Sequence, residues 1–322
     1  MANQSTAETL PFLSSAVLDR LAISTFEIVG EIERQIVGQR KGEVWCAPKA
    51  TVLPGDDRYI MATLGVASEP GVIATKSLLV NPRNAERGLA TLNSLITLLD
   101  AETGLPLALV DGNWVTEKRT AGLSAVAARR LARNDSSSAA FIGCGVQARG
   151  HLGAFADLFP LKEIRAFGRG ATNRDALCRL AQSRGIDAVP CDTAKAAIEG
   201  ADIVVTTIPL VPEPVPFLDA HWLKAGSFVA MTDLALPWLP ETLPRFDRIV
   251  IDDLAQEAAM SKAMISPELV AGDLAGLVCG DVAGRQSASD MTAFAFRGMA
   301  VGDLAVAALA YVRAKASGAL EA

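Results

Sequence analysis

Two glycines and an alanine follow an apolar run in Ala139-Ala140-Phe141-Ile142-Gly143-Cys144-Gly145-Val146-Gln147-Ala148. This spacing lets backbone amides approach a dinucleotide pyrophosphate. Gly143 would make the tight turn, Gly145 would leave room for the phosphates, and Ala148 would pack the next helix against the sheet. That helix, opening at Val146, Gln147 and Ala148, offers unpaired N–H groups and the positive end of its dipole to an anion. Glycines also serve ordinary strand-to-helix turns, so the motif takes its weight from the residues downstream. A second strand, Ile164-Arg165-Ala166-Phe167, runs into Gly168-Arg169-Gly170, where an NAD enzyme usually places Asp or Glu against the ribose 2′-hydroxyl. No acid stands there. Arg169, Thr172 and Arg174 supply cations and a small donor suited to a 2′-phosphate, so NADPH is the expected cofactor and NADH a possible one. Ordinary solvated loop charges are the plain alternative for these arginines. A third apolar strand over 201–209 carries Thr206 and Thr207 toward its carboxyl end, the edge that faces the cofactor crevice in an open parallel sheet.

The elements that position these residues fall into two patterns. Further strands are expected over 227–231 and 248–252, as continuous apolar runs of the kind buried on both faces. The alternation of strand and helix from about 139 to 252 therefore reads as a complete nucleotide domain. Before it, the chain starts with a linker over 6–13 that enters a short strand, and Ser14-Ser15 then caps a helix expected over 16–38. Strands follow at 44–46, 49–53, 59–64 and 72–80, separated by turns at Pro54-Gly55-Asp56-Asp57 and Glu69-Pro70-Gly71. Residues 95–99 and 107–110 read as a hairpin. A helix over 116–132 leads to the glycine motif, and a last helix near 298–316 is expected to pack back on the first domain. The fold class is thus α/β: a Rossmann-type doubly wound parallel sheet over 119–295, joined to a mixed α+β domain made of 1–118 and 296–322.

With 322 residues, half of them hydrophobic, the chain is long enough for two substantial cores. Its net charge of −6 and lack of any basic run argue against nucleic-acid binding, which needs a basic face to release counterions. The cysteines (Cys46, Cys144, Cys178, Cys191, Cys279) and the histidines (His151, His221) are scattered without metal-ligand spacing, so no metal site is expected. No signal peptide opens the chain and no uncharged apolar run approaches the ~20 residues of a membrane span. Cytoplasmic residence with reduced thiols is the default expectation.

Four ordered stretches resemble the ornithine cyclodeaminase/mu-crystallin family: Ile73-Ala74-Thr75-Lys76 with Asn81-Pro82, Thr116-Glu117-Lys118-Arg119-Thr120-Ala121-Gly122, the glycine motif, and Phe296-Arg297-Gly298-Met299-Ala300-Val301-Gly302-Asp303. The likeness spans nearly the whole chain. It implies that a substrate-binding and dimerisation domain is paired with a Rossmann domain, and that the assembly is a homodimer built through the first domain's sheet. It also implies that Lys76 and Arg119, the latter opening a long helix, hold a substrate carboxylate. The chemistry agrees, since guanidinium matches a carboxylate bidentately and an ammonium is a compact charge that can orient it or move a proton. A cation at a helix N-terminus also works against the dipole, which makes Arg119 the firmer of the two. Lys49 is a weaker third candidate.

Two acids complete the candidates. Asp233 follows the strand at 227–231, where the family's cyclodeaminases place a catalytic aspartate, although Thr232-Asp233-Leu234-Ala235-Leu236-Pro237 departs from their Gly-Gly-Asp-x-Pro spacing. A turn-forming role serves Asp233 equally well. Asp303 begins an apolar helix, where the dipole alone would favour it, and its place in the family motif puts it toward the nicotinamide side. Cyclodeaminases resembling this chain carry an acid two positions before the methionine that precedes the substrate lysine. If Met61 is that methionine, Tyr59 stands in its place. The resemblance, with that departure and with Arg169, implies an oxidoreductase of amino-acid metabolism: a reductase of small cyclic imine carboxylates such as Δ1-pyrroline-2-carboxylate or Δ1-piperideine-2-carboxylate, giving proline or pipecolate. A redox-neutral lyase of the ornithine cyclodeaminase or hydroxyproline dehydratase kind, an alanine or other amino-acid dehydrogenase, and a non-catalytic NADPH-binding protein are the alternatives.

Overall fold

The computed structural model describes residues 10–209 and 214–320; the start of the expected linker at 6–13 lies outside them. The chain forms two compact units, one from residues 1–119 with 300–322 and one from 120–299.

The first unit opens with β1 (Phe12–Leu13), α1 (Ser15–Arg20) and α2 (Thr25–Lys41). A single helix over 16–38 was the sequence expectation; two are found. Ala22 adopts a left-handed φ of 49°, and Ser24 restarts the helix through a capping box with Glu27, so the Ser-x-x-Glu signature marks a boundary inside the expected span. Strands β2 (Val44–Cys46), β3 (Ala50–Val52), β4 (Tyr59–Ala67), β5 (Val72–Val80), β6 (Leu92–Asp100) and β7 (Pro106–Asp111) come next. Among the described residues they form a sheet ordered β1-β7-β6-β5-β4-β2, with β3 on β4, antiparallel apart from β1 on β7. Alternation along β4 and β5 turns Met61, Thr63, Ala67, Ala74, Lys76 and Leu78 to one buried face. The C-terminal helix (Ala300–Ala316) packs against these two strands and α2. Gly65 permits the close approach, because a Cβ there would stand 3.2 Å from Leu304 Cδ2.

Helix α3 (Gly112–Leu131) begins in the first unit and continues into the second. It starts at Gly112, a full turn before the expected 116, with Asp111 Oδ1 accepting from the amides of Asn113 and Trp114. Arg119 is therefore two turns inside the helix, and its guanidinium does not oppose the positive end of the dipole as the sequence had suggested.

The second unit contains β8 (Ser138–Ile142), α4 (Val146–Leu158), β9 (Glu163–Phe167), α5 (Ala171–Ser183), β10 (Asp187–Pro190), α6 (Ala194–Ile198), β11 (Ile203–Thr206), β12 (Phe228–Met231), β13 (Arg248–Ile251), α7 (Leu254–Ala258), β14 (Val270–Asp273), α8 (Leu274–Cys279) and β15 (Thr292–Ala295). Its wholly parallel sheet runs β10-β9-β8-β11-β12-β15-β13-β14, the doubly wound Rossmann arrangement with the direction of winding reversing between β8 and β11. The alternation was expected to be complete by residue 252. Instead β15 inserts between β12 and β13, and all of its residues are buried. Its short apolar run, Thr292-Ala293-Phe294-Ala295, follows a Ser-Ala-Ser-Asp turn but carries no local sign of which strands it joins, so its central place becomes visible only in the pairing.

Candidate active site

In the first unit, three elements deliver charge to one buried point. Lys76, on β5, is 1 % exposed, Arg119 on α3 is 8 % exposed, and Asp303 on the C-terminal helix is 3 % exposed. Lys76 Nζ donates to Asp303 Oδ1 at 2.6 Å, and Arg119 Nε lies 3.1 Å from the same oxygen. Thr63 Oγ1 donates to Asp303 Oδ2 at 3.2 Å, because Thr63 faces Lys76 across the β4–β5 register. Arg119 Nε has no aligned acceptor despite its nearness to Asp303, so the carboxylate acts on the guanidinium as a charge. Among the described residues no hydrogen bond engages the terminal Nη1 and Nη2 of Arg119. Thr63 escaped the sequence reading, although its place on the same face as Lys76 and two residues beyond Met61 is readable once β4 and β5 are paired.

Burial sets the electrostatics. It pulls the Lys76 ammonium down to about 8, a shift that Asp303 opposes and Arg119 adds to. Burial alone would raise the Asp303 carboxyl, but the fields of Lys76 and Arg119, with hydrogen bonds from Lys76 and Thr63, hold it below its ordinary value. Two cations against one carboxylate leave one unbalanced positive charge, which a substrate carboxylate would neutralise. Lys49 is half-buried just before β3.

In the second unit the glycine turn has the geometry a pyrophosphate needs. Gly143 has φ of 90°, and a Cβ there would sit 2.5 Å from the Thr207 carbonyl oxygen, so only glycine fits. Gly145, the residue at which α4 starts, has nothing within 4 Å of a would-be Cβ, and no side chain caps the helix. The first-turn amides at Val146, Gln147 and Ala148 have no intrahelical acceptor, and Ala148 is fully buried against the sheet. This open, uncapped helix start fits a dinucleotide diphosphate. Cys144 is a packing residue here: its Sγ donates to Phe167 O at 3.4 Å, and burial pushes its thiol up to about 11.

The remaining candidates fall on loops, on the end of β11 and on the first turn of α5 in the second unit. Arg169 is exposed in the loop between β9 and α5, Thr172 is exposed in the first turn of α5, and Arg174 Nε donates to Asp175 at 3.3 Å. Thr207 Oγ1 donates to Gly143 O at 3.3 Å and so locks the turn. Thr206 Oγ1 donates to Asp233 Oδ1 at 2.9 Å, and Ile208 N donates to Asp233 Oδ2 at 3.1 Å. Asp233 thus ties the loop after β12 to the loop after β11, is fully buried, and is pushed up to about 6 by that burial. The next two residues, Leu234 and Ala235, have φ of 60° and 57°, a left-handed pair that is rare outside glycine and occurs where surrounding structure enforces it. His151 is also structural: Ser124 Oγ and Gln147 O bond its two ring nitrogens, and burial lowers it to about 4. A cleft of about 540 Å³ at the end of α3 is lined by Arg129, Arg130, Arg133 and Arg285. Arg285 is committed to the carbonyls of Leu131, Asp290 and Ser227, and Arg133 to Asp135, so the cleft reads as a rivet between loops. Among the described residues, no cluster of three His, Cys, Asp or Glu side chains has metal-binding geometry, and no helix is long and apolar enough to cross a membrane.

Comparison with known proteins agrees with this architecture. Alanine dehydrogenase of Archaeoglobus fulgidus is 32% identical over 244 residues, covering 73% of this chain and 74% of that protein. The ketimine reductase mu-crystallin of Mus musculus is 31% identical over 222 residues, covering 67% and 68%. The structure of Δ1-pyrroline-2-carboxylate reductase from Thermococcus litoralis, in complex with NADH and L-proline, superposes with a TM-score of 0.87 at 26% identity, covering 96% of this chain and 98% of that one. An archaeal alanine dehydrogenase dimer with bound NAD gives 0.85 at 28% identity, covering 96% of this chain and 97% of that one. The match to the ornithine cyclodeaminase/mu-crystallin family runs over residues 12–318, and the chain belongs to that family.

Proposed function

We propose that this protein is a nicotinamide-dependent reductase of small cyclic imine carboxylates, with NADPH preferred and NADH usable. The observation that carries the reading is the buried Lys76–Asp303–Arg119 cluster, with its surplus positive charge and the unengaged Arg119 Nη pair. Arg119 takes the substrate carboxylate bidentately and Lys76 fixes its orientation, so that the imine carbon is held for attack, which is the positioning contribution to rate. A bound nicotinamide supplies the hydride from C4. The residues that would hold it are the turn at Gly143 and Gly145, the α4 start at Val146, Gln147 and Ala148, and Arg169, Thr172 and Arg174 at the adenosine end. Asp303 stays ionised between its two cations, which leaves Lys76 as the group able to hold or pass a proton to the imine nitrogen. The Thermococcus litoralis reductase, whose complex holds NADH and L-proline, supports this substrate class.

A homodimer through the open face of the first unit's sheet is part of the proposal. That face carries Ile60, Leu64, Ile73, Leu79, Leu95 and Leu99, with Leu64 43% and Leu95 40% exposed, an apolar surface of the kind obligate interfaces cover. Light scattering giving the mass of a single chain would remove this part. An alanine dehydrogenase is the second reading, favoured by the 32% identity to the archaeal enzyme. The deciding experiment follows NADPH and NADH oxidation with Δ1-pyrroline-2-carboxylate, Δ1-piperideine-2-carboxylate and pyruvate plus ammonia, and ammonia release from ornithine. Faster turnover of a cyclic imine supports the proposal, faster turnover of pyruvate plus ammonia supports the second reading, and cofactor-neutral ammonia release from ornithine rejects both.

A further inference from the structure

Asp303 occupies the point where both cations meet, and its two oxygens are committed. Oδ1 serves Lys76 Nζ and Arg119 Nε together, and Oδ2 takes the Thr63 hydroxyl. The charged groups acting on the site are Lys76 from β5 and Arg119 from α3; β4 contributes the neutral Thr63, and Asp303 is the sole acid among the described residues in contact with them. Without this carboxylate two buried cations would face each other, and the lysine, which unlike guanidinium titrates readily, would give up its proton. We propose that Asp303 is a positioning residue, an internal carboxylate that keeps Lys76 charged and holds Arg119 so that its terminal nitrogens meet the substrate carboxylate. It does not donate a proton in the reaction.

This inference rests on the reading of Lys76 and Arg119 as the carboxylate anchor, so its test has one arm with substrate and one without. In Asp303→Asn the charge is removed and the shape kept. With a cyclic imine as substrate, KM is expected to rise about tenfold or more, the loss of one charge-assisted contact set. The alkaline limb of kcat/KM, which in the wild type should fall near pH 8, should move at least about one unit toward acid. Cofactor affinity, measured by fluorescence titration, should stay within about twofold, a difference too small to involve a lost charged contact. Asp303→Glu should recover part of the KM and return the limb toward its original pH.

The substrate-free arm follows thermal melting from pH 6 to pH 10. A lysine whose native pKa lies below its unfolded value costs stability at pH values under the native pKa, and that cost disappears as pH rises toward the unfolded value. Asp303→Asn lowers the native value further, so its deficit against wild type should be largest near pH 6 and shrink toward pH 10. If the single variant does not fold at neutral pH, the double variant with Lys76→Met should fold, because only Arg119 then remains and no second buried cation repels it. The inference is overturned by an unmoved alkaline limb, by a collapse of kcat at unchanged KM, by a pH-independent melting deficit, or by equal failure of the single and double variants. A wild type that reduces no cyclic imine, together with the expected melting behaviour, would reject the functional reading and leave the role of Asp303 standing.

Discussion

In the first unit the candidate anchoring groups come from β5, α3 and the C-terminal helix, and they are side-chain charges buried against one another. In the second unit the candidate cofactor turn is one unbroken run of backbone from Ile142 to Ala148, with no charged side chain in it. The charge cluster depends on exact placement, because removing Asp303 leaves Lys76 and Arg119 buried without their carboxylate, which costs about 3–5 kcal/mol. The turn depends on the absence of atoms: space at Gly145, and a left-handed backbone at Gly143 under the Thr207 carbonyl. Substitutions should therefore act on the first site by subtraction and on the second by addition.

The largest effect is expected at Arg119. Arg119→Ala removes the cluster's cation with unengaged terminal donors and leaves Lys76 and Asp303 paired with each other. A loss of about 3–5 kcal/mol in transition-state binding corresponds to a fall in kcat/KM of about a hundred- to several-thousand-fold. The melting temperature should change far less, since the remaining pair is internally neutral. A fall of less than tenfold in steady-state assays would mean that Arg119 is merely a structural partner of Asp303.

Next come the two glycines, which separate folding from binding within one turn. Gly143→Ala forces an L side chain into a left-handed conformation at about 1–2 kcal/mol and meets the Thr207 carbonyl besides. Melting should fall by about 2–8 °C for a unit of this size. Gly145→Ala has φ of −77° and open space around the new methyl, so its melting should match wild type within about 2 °C. Its cofactor affinity should nevertheless weaken about tenfold or more, because the methyl takes the room a phosphate needs. Calorimetric melting with cofactor titration of both variants checks the pair, and unchanged cofactor affinity in Gly145→Ala would remove the phosphate from this turn.

The same contrast explains what the sequence made legible. Contiguous features were readable: the Gly143–Gly145–Ala148 spacing, the strand before it, the alternating strands at 59–64 and 72–80, and the hairpin that became β6 and β7. Lys76, Arg119 and Asp303 could be named only through the family resemblance, because no local pattern says that positions so far apart converge. Thr63 was missed for the same reason, since its role comes from cross-strand register. Long-range pairing also hid β15, whose neighbours β12 and β13 precede it in the chain, with other elements intervening. The early helix break was readable from Ser24 and Glu27 but was outweighed by the apolar period running through it. Asp233, which the sequence offered equally as a catalytic acid and as a turn former, has its oxygens bonded by Thr206 and Ile208, and the two residues after it carry the strain of the loop.

The smallest expected effect sharpens the comparison most, because it asks whether the second unit uses any side-chain charge at all. Arg169 is exposed and carries no described ion pair, while the nearby Arg174 is partly engaged by Asp175. An exposed cation against a 2′-phosphate contributes about 1 kcal/mol at low salt. Arg169→Ala should therefore lower the ratio of kcat/KM for NADPH over NADH by about fivefold, almost wholly through the NADPH value. Raising ionic strength toward 1 M should shrink the difference between variant and wild type, because the Debye length there is only about 3 Å. Arg174→Ala alone should do less, since Asp175 already offsets its charge. If neither substitution changes the ratio, the missing acid after β9 reflects tolerance of both nicotinamide cofactors, and the second unit binds its dinucleotide through backbone and shape alone.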